Sequence, residues 1–184
     1  MAEALPCDIM DLGASADHSC EEDFAGYGQN VFVAYPEDLN AIPDFEPGKA
    51  SFGQEAFTFK SGRGAWKFRI KRRSAHIDST GNEGAGYSVV ATFVIDKDLE
   101  NAAAVLRKLK NRGDAIFFFE RYDEGYTVVY DKIAGTDVNN NFASGANPGD
   151  EHGQTVTVTC NPCRYSEVTW KGVITLKSAV VLAP

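Results

Sequence analysis

Ala65-Trp66-Lys67-Phe68-Arg69-Ile70-Lys71-Arg72 is the stretch on which the fold turns. Side chains of an extended strand point to opposite faces in turn, so Trp66, Phe68 and Ile70 share one side while Lys67, Arg69 and Lys71 share the other. One face is made to be covered, and the other is a cationic stripe.

Outward from this strand, Lys60 to Arg73 carries seven bases (Lys60, Arg63, Lys67, Arg69, Lys71, Arg72, Arg73) and no acid, in a chain of net charge −8. The remaining residues set all 26 acids against eleven bases, and Met1 to Glu55 holds one base, Lys49. Unlike patches on one small body favour docking between copies. A solvated sheet face is the usual fate of such alternation, but like charges crowded on one strand cost energy unless anions face them. The stripe is therefore expected to meet a partner. The acidic balance argues against tight, general binding of nucleic acid, whose affinity comes from neutralising phosphates with Lys and Arg.

With 184 residues, 43% of them hydrophobic, and twelve Phe and seven Tyr, the chain has ample material for one domain with extensions. No secretory signal is visible at the N-terminus, and the longest apolar run, Ala179 to Pro184, is far too short to span a bilayer. A soluble protein made in the cytoplasm, with no membrane segment, is expected.

Residues 1–29 read as an acidic arm, 30–178 as the folded domain and 179–184 as a C-terminal tail. Asn30 to Tyr35 is the first strand-like run. Ala56 to Lys60 and Ala65 to Arg72 flank Ser61-Gly62-Arg63-Gly64, which predicts a hairpin. Ser79 to Gly86 reads as a Gly-rich loop and Tyr87 to Ile95 as a strand. One helix follows, with Asp96 or Asp98 as its cap, Leu99, Ala102, Ala103, Leu106 and Leu109 at helical spacing, and Gly113 as its stop. Asp114 to Glu120 and Tyr126 to Asp131 predict a hairpin around Asp123-Glu124-Gly125. Residues 134–153 read as a long exposed loop. Gln154 to Cys160, Tyr165 to Trp170 and Gly172 to Lys177 complete about eight strands, which predicts a mainly β, antiparallel sandwich or barrel-like domain with one flanking helix.

The chain contains no phosphate-binding glycine loop, no His-Glu-x-x-His and no other motif that carries a reaction. His18, His76 and His152 are scattered, so an enzyme is not expected. Pairing of Cys160 or Cys163 with His76 or His152 in space would be needed for a thiol nucleophile. Cys160-Asn161-Pro162-Cys163 is half of a zinc site that Cys7 and Cys20, with twelve residues between them, would have to complete; ordinary thiols are the plainer reading. Asp131, Asp137, Asn139, Asn141 and Asp150 lack the spacing of a calcium loop. No cofactor and no metal are expected.

The order of elements resembles that of tail tube (major tail) proteins of bacteriophages and Bacteroides-type prophages. The likeness covers about residues 50–176 and rests on several runs. They are Leu-Arg-Lys-Leu-Lys-Asn-Arg-Gly-Asp in the helix, Ala-Ile-Phe-Phe-Phe-Glu-Arg-Tyr-Asp-Glu-Gly-Tyr-Thr-Val-Val-Tyr in the hairpin, and Ser-Gly-Ala-Asn-Pro-Gly-Asp-Glu-His-Gly-Gln-Thr-Val-Thr-Val after it. The resemblance implies packed sheets flanked by a helix, six copies closing into a ring, and rings stacking into a virion tail tube whose negative lumen passes DNA without binding it. It also implies contacts with other tail proteins, and leaves terminator, connector and initiator roles open. Independently, opposite patches on one subunit make head-to-tail contacts that close into rings or continue as stacks. The candidate interface residues are Lys67, Arg69, Lys71 and Arg73 on one side. Glu21, Glu22 and Asp23 of the arm and Asp150 and Glu151 of the loop stand on the other. A different class of function is a non-enzymatic β-sandwich module that holds a carbohydrate or protein on Trp66, Tyr122, Tyr126 and Trp170.

Overall fold

Residue 116 begins a run, Ile116-Phe117-Phe118-Phe119, that is apolar at every position, which is how a strand reads when both of its faces are covered. The computed structural model describes residues 26–43, 51–82, 86–95, 100–122, 125–143 and 153–177, and within them this strand lies at the centre. Its elements in chain order are β1 (Tyr27–Ala34), β2 (Leu39–Ala41), β3 (Ser51–Phe52), β4 (Thr58–Phe59), β5 (Trp66–Arg69), β6 (His76–Asn82), β7 (Gly86–Ile95) and α1 (Glu100–Arg112). These are followed by β8 (Ile116–Arg121), β9 (Tyr126–Val129), β10 (Asp137–Ala143), β11 (Gly153–Cys163) and β12 (Val168–Trp170). The fold is mainly β, sandwich-like, with one helix.

A six-stranded sheet in the order β3-β12-β9-β8-β1-β5 forms the middle layer. Phe117 and Phe119 of β8 and Val31 and Val33 of β1 point to one side, where they meet Ala91, Phe93, Val156 and Val158 of the four-stranded sheet β10-β11-β7-β6. Ile116, Phe118, Phe32 and Ala34 point to the other, where Phe57, Tyr130 and Trp170 complete a second core. There the Phe118 ring packs 5.4 Å from those of Phe57 and Trp170. In β7 from Val89 to Ile95, and in β11 from Gln154 to Cys160, buried residues alternate with half-buried ones, so those stretches have one fully covered face. Leu106 and Leu109 of α1 join the first core beside Val138 of β10, and Gly113, at φ 50°, ends the helix while its N–H donates to the Leu109 carbonyl at 3.0 Å.

Several boundaries differ from the sequence reading. Tyr27, Gly28 and Gln29, assigned to the acidic arm, belong to β1; Gly28 fits because a Cβ there would stand 2.7 Å from Glu120 Oε2. Within 134–153, Asp137 to Ala143 are a strand: they pair in unbroken antiparallel register with Gly153 to Thr159, which outweighs the low strand propensity of three asparagines. Ser79 to Asn82 likewise continue β6 against β7. The turn after Lys60 exists, with Arg63 N–H donating to the Lys60 carbonyl at 2.9 Å, but its arms do not pair: β4 joins β2 and β5 joins β1. Gly172 to Lys177 forms no strand; among the described residues its backbone pairs with the sheet at the parallel bridge Ala65–Leu176. Trp170 is a core residue, buried rather than displayed, and half-buried Tyr126 packs against it. In the helix stripe Ala103 is exposed and Val105 half-buried, while the side chains of Leu99 and Ala102 and the caps Asp96 and Asp98 lie outside the described residues.

Candidate functional site

In β5 the alternation takes the expected form. Phe68 and Ile70 are buried and Trp66 is half-buried, while Lys67, Arg69 and Lys71 are exposed; Arg73 is exposed in the turn that follows, at φ 60°. Pairing with β1 sets Val31 opposite Phe68 and Asn30 opposite Arg69, and Ile70 N–H donates to the Gln29 carbonyl. By the alternation of an antiparallel ladder, the backbone N–H and C=O of Lys67 and Arg69 then face away from β1, at the outer edge of the sheet. No strand of the described residues pairs with them. The edge is closed at both ends. At one, Ala65 N–H donates to the Thr175 carbonyl and Lys177 N–H to the Ala65 carbonyl; at the other, Lys71 N–H donates to Val94 and Ile70 bridges Ile95. Lys67 also lies over the Phe32 ring at 5.8 Å. Glu21, Glu22, Asp23, Asp150 and Glu151, the acidic half of the expected interface, lie outside the described residues.

A cleft of about 500 Å³ opens where β5 begins. Four separate segments build it. Tyr35 leaves β1, and the turn Pro36–Asp38, started by a proline whose φ suits a helical first position, carries Glu37 and Asp38. The Lys60–Arg63 turn brings Arg63, and the last turns of α1 bring Lys108 and Arg112. The segment bridged to Ala65 sets Lys177 Nζ 4.2 Å from the centre of the Trp66 ring. Gly64 makes that approach possible, because a Cβ on it would lie 2.6 Å from the backbone of Leu176 and Lys177.

Arg112 grips Glu37 with two hydrogen bonds, 2.6 and 3.1 Å, and lies over the Tyr35 ring at 4.2 Å. Those bonds hold the Glu37 carboxyl below its ordinary range and raise the Arg112 guanidinium, while burial is the main reason the Tyr35 phenol is raised. Asp38 is different. Its side chain is only 2% exposed, Arg63 Nη1 stands 3.4 Å from Oδ1, and neither carboxylate oxygen accepts a hydrogen bond from the described residues. Buried carboxylate oxygens are ordinarily satisfied, so two bare ones at a cleft mark a place where a donor is missing. Sequence reasoning nominated Trp66 here and counted Arg63 among the basic run. It gave no sign of Asp38, because nothing in Pro-Glu-Asp says which acid will be buried.

The other candidates separate. Cys160 and Cys163 are buried free thiols at the bulge of β11, and the hydrogen bond between them lowers Cys163 to about 7 and raises Cys160. Among the described residues no three His, Cys, Asp or Glu stand together as metal ligands, and Cys7 and Cys20 lie outside those residues. His76 Nε2 meets Asp78 at 2.8 Å on the exposed surface of β6, while His18 and His152 are outside the described residues. Asp131 is spent on structure: Oδ1 accepts from the N–H of Ile133 and Ala134, and Oδ2 from the N–H and Nε of Arg164. Tyr122 is exposed and apart from the cleft. Among the described residues no helix is long and apolar enough to cross a membrane. No protein-family model matches the chain, and no curated protein and no solved structure is similar to it at the level that would mark a relative.

Proposed function

We propose that the protein is a non-enzymatic structural subunit of a bacteriophage tail or tail-like particle. In this reading copies associate into rings, six-membered by the resemblance, and the rings stack into a conduit for DNA. The observation that carries it is the outer edge of β5, where backbone groups that pair with no strand among the described residues coincide with exposed Lys67 and Arg69. An edge of this kind is a template for another chain. Its positive side chains repel a second copy of the same edge and admit an acidic surface, which the −8 net charge supplies elsewhere on the molecule. Contacts between unlike patches are heterologous, and rotation decides whether they close or run on.

Negative-stain microscopy and light scattering on concentrated full-length protein test this reading. Rings or tubes are expected, and the double substitution Arg69→Glu with Lys71→Glu should return the assembly to single chains without lowering the melting temperature. A wild-type protein that stays a single chain at every concentration and salt level overturns it.

A further inference from the structure

We infer that the cleft at the start of β5 is a binding site for an acidic sugar, a pyranose bearing a carboxylate or a phosphate. Asp38 would take its hydroxyls, and Lys108 and Lys177 its negative group. The cleft's volume, about 500 Å³, falls within the range of roughly 300–1,000 Å³ typical of small-molecule sites. Three features of its wall select the ligand.

Asp38 sets the first requirement. Two buried acceptor oxygens without donors call for a ligand that donates. Arg63, 3.4 Å away, already supplies positive charge, so an ammonium would crowd a second cation beside it, whereas neutral hydroxyls do not. Two neighbouring hydroxyls on a ring can serve both oxygens. The second requirement comes from the remaining charges. Glu37 is committed to Arg112, which leaves Arg63, Lys108 and Lys177 facing the cleft with Asp38 as the one acid not held by a hydrogen-bonded cation. That excess favours a negative group at a distance from Asp38. The third is the apolar surface of Val105 together with what Lys177 and Arg112 leave uncovered of Trp66 and Tyr35, which suits the C–H groups of a sugar ring. A bare anion meets only the second requirement and a neutral sugar only the first and third.

The site involves neither the outer edge of β5 nor assembly, so it stands or falls separately from the tail reading. The test titrates full-length protein with glucuronate, glucose 6-phosphate, glucose and inorganic phosphate at constant ionic strength. Calorimetry and tryptophan fluorescence read the binding, because Trp66 lines the cleft while Trp170 is buried in the second core. Saturable binding of glucuronate or glucose 6-phosphate is expected, at least about tenfold tighter than glucose or phosphate, and the tighter of the two identifies the acidic group. Asp38→Asn should weaken it by about tenfold. Lys108→Glu, at an exposed position, should weaken the acidic sugars and leave glucose unchanged, and it decides the matter if the Asp38 variant does not fold. The inference is overturned if neither acidic sugar saturates, if inorganic phosphate matches them, or if both variants bind as the wild type does.

Discussion

Asp131 carries a stability that depends on pH in a definite direction. Burial works against its ionisation, but the hydrogen bonds from Arg164 and from the N–H of Ile133, Ala134 and Arg164 outweigh that and hold the carboxyl below its ordinary value of 3.8. A carboxyl depressed in the native state stabilises fully above the unfolded value and loses that contribution as pH falls through 3.8 toward the native one. Thermal melts from pH 7 to pH 2.5 should therefore show a shallower acid limb for Asp131→Asn than for wild type. Arg164→Ala leaves a buried carboxylate held by backbone donors alone, and denaturant titration should show a loss of about 2 kcal/mol. Gly64 is a second residue with a single physical job. In Gly64→Ala the new Cβ would sit 2.6 Å from backbone atoms of Leu176 and Lys177, and no flexible side chain is there to yield. A loss of about 1–3 kcal/mol is expected, together with altered Trp66 fluorescence as Lys177 leaves its ring.

At the scale of elements, β8 decides how many layers the molecule has. Because Phe117 and Phe119 enter one core while Ile116 and Phe118 enter the other, truncating Phe118 empties only the second. Phe118→Ala should cost about 3–5 kcal/mol in chemical denaturation. β5, β7, β8, β11, α1 and the β8–β9 hairpin are legible in sequence because periodicity is local and each keeps its period. β10 and the end of β6 are not. Asn139, Asn140, Asn141 and Gly81 carry loop chemistry, and they become strand because the strands that follow them, β11 and β7, supply pairing partners in register, which outweigh the low strand propensity of these residues. The β4–β5 turn misleads for the opposite reason: its local chemistry is correct, but Phe59 pairs with Leu39 while Trp66 pairs with Val33, and only the tertiary arrangement separates the two. The cleft was mostly illegible, since its walls come from segments around residues 35, 63, 108 and 177, which no spacing rule connects.

For the whole molecule, the decisive property is that charge is segregated along the sequence while β5 is an edge strand among the described residues. Exposed charges are screened over about 10 Å at 0.1 M salt. If copies dock through these unlike patches, as proposed, light scattering of full-length protein should show assemblies shrinking as sodium chloride rises from 20 mM toward 1 M, and growing again on dilution of the salt. Association held by apolar contact would instead strengthen with salt and would remove electrostatic docking as the cause.

By itself the sequence determined the β-rich class, the two faces of β5 and the sign of each part of the chain. Period-two alternation and net charge are properties of neighbouring residues and survive any packing. The tertiary structure alone decided that the central sheet has two cores, that a run of asparagines is a strand, and that Asp38 is buried without a donor. Each of those depends on which other segment packs beside the residue, and burial and pairing are set by that neighbour rather than by the residue's own chemistry.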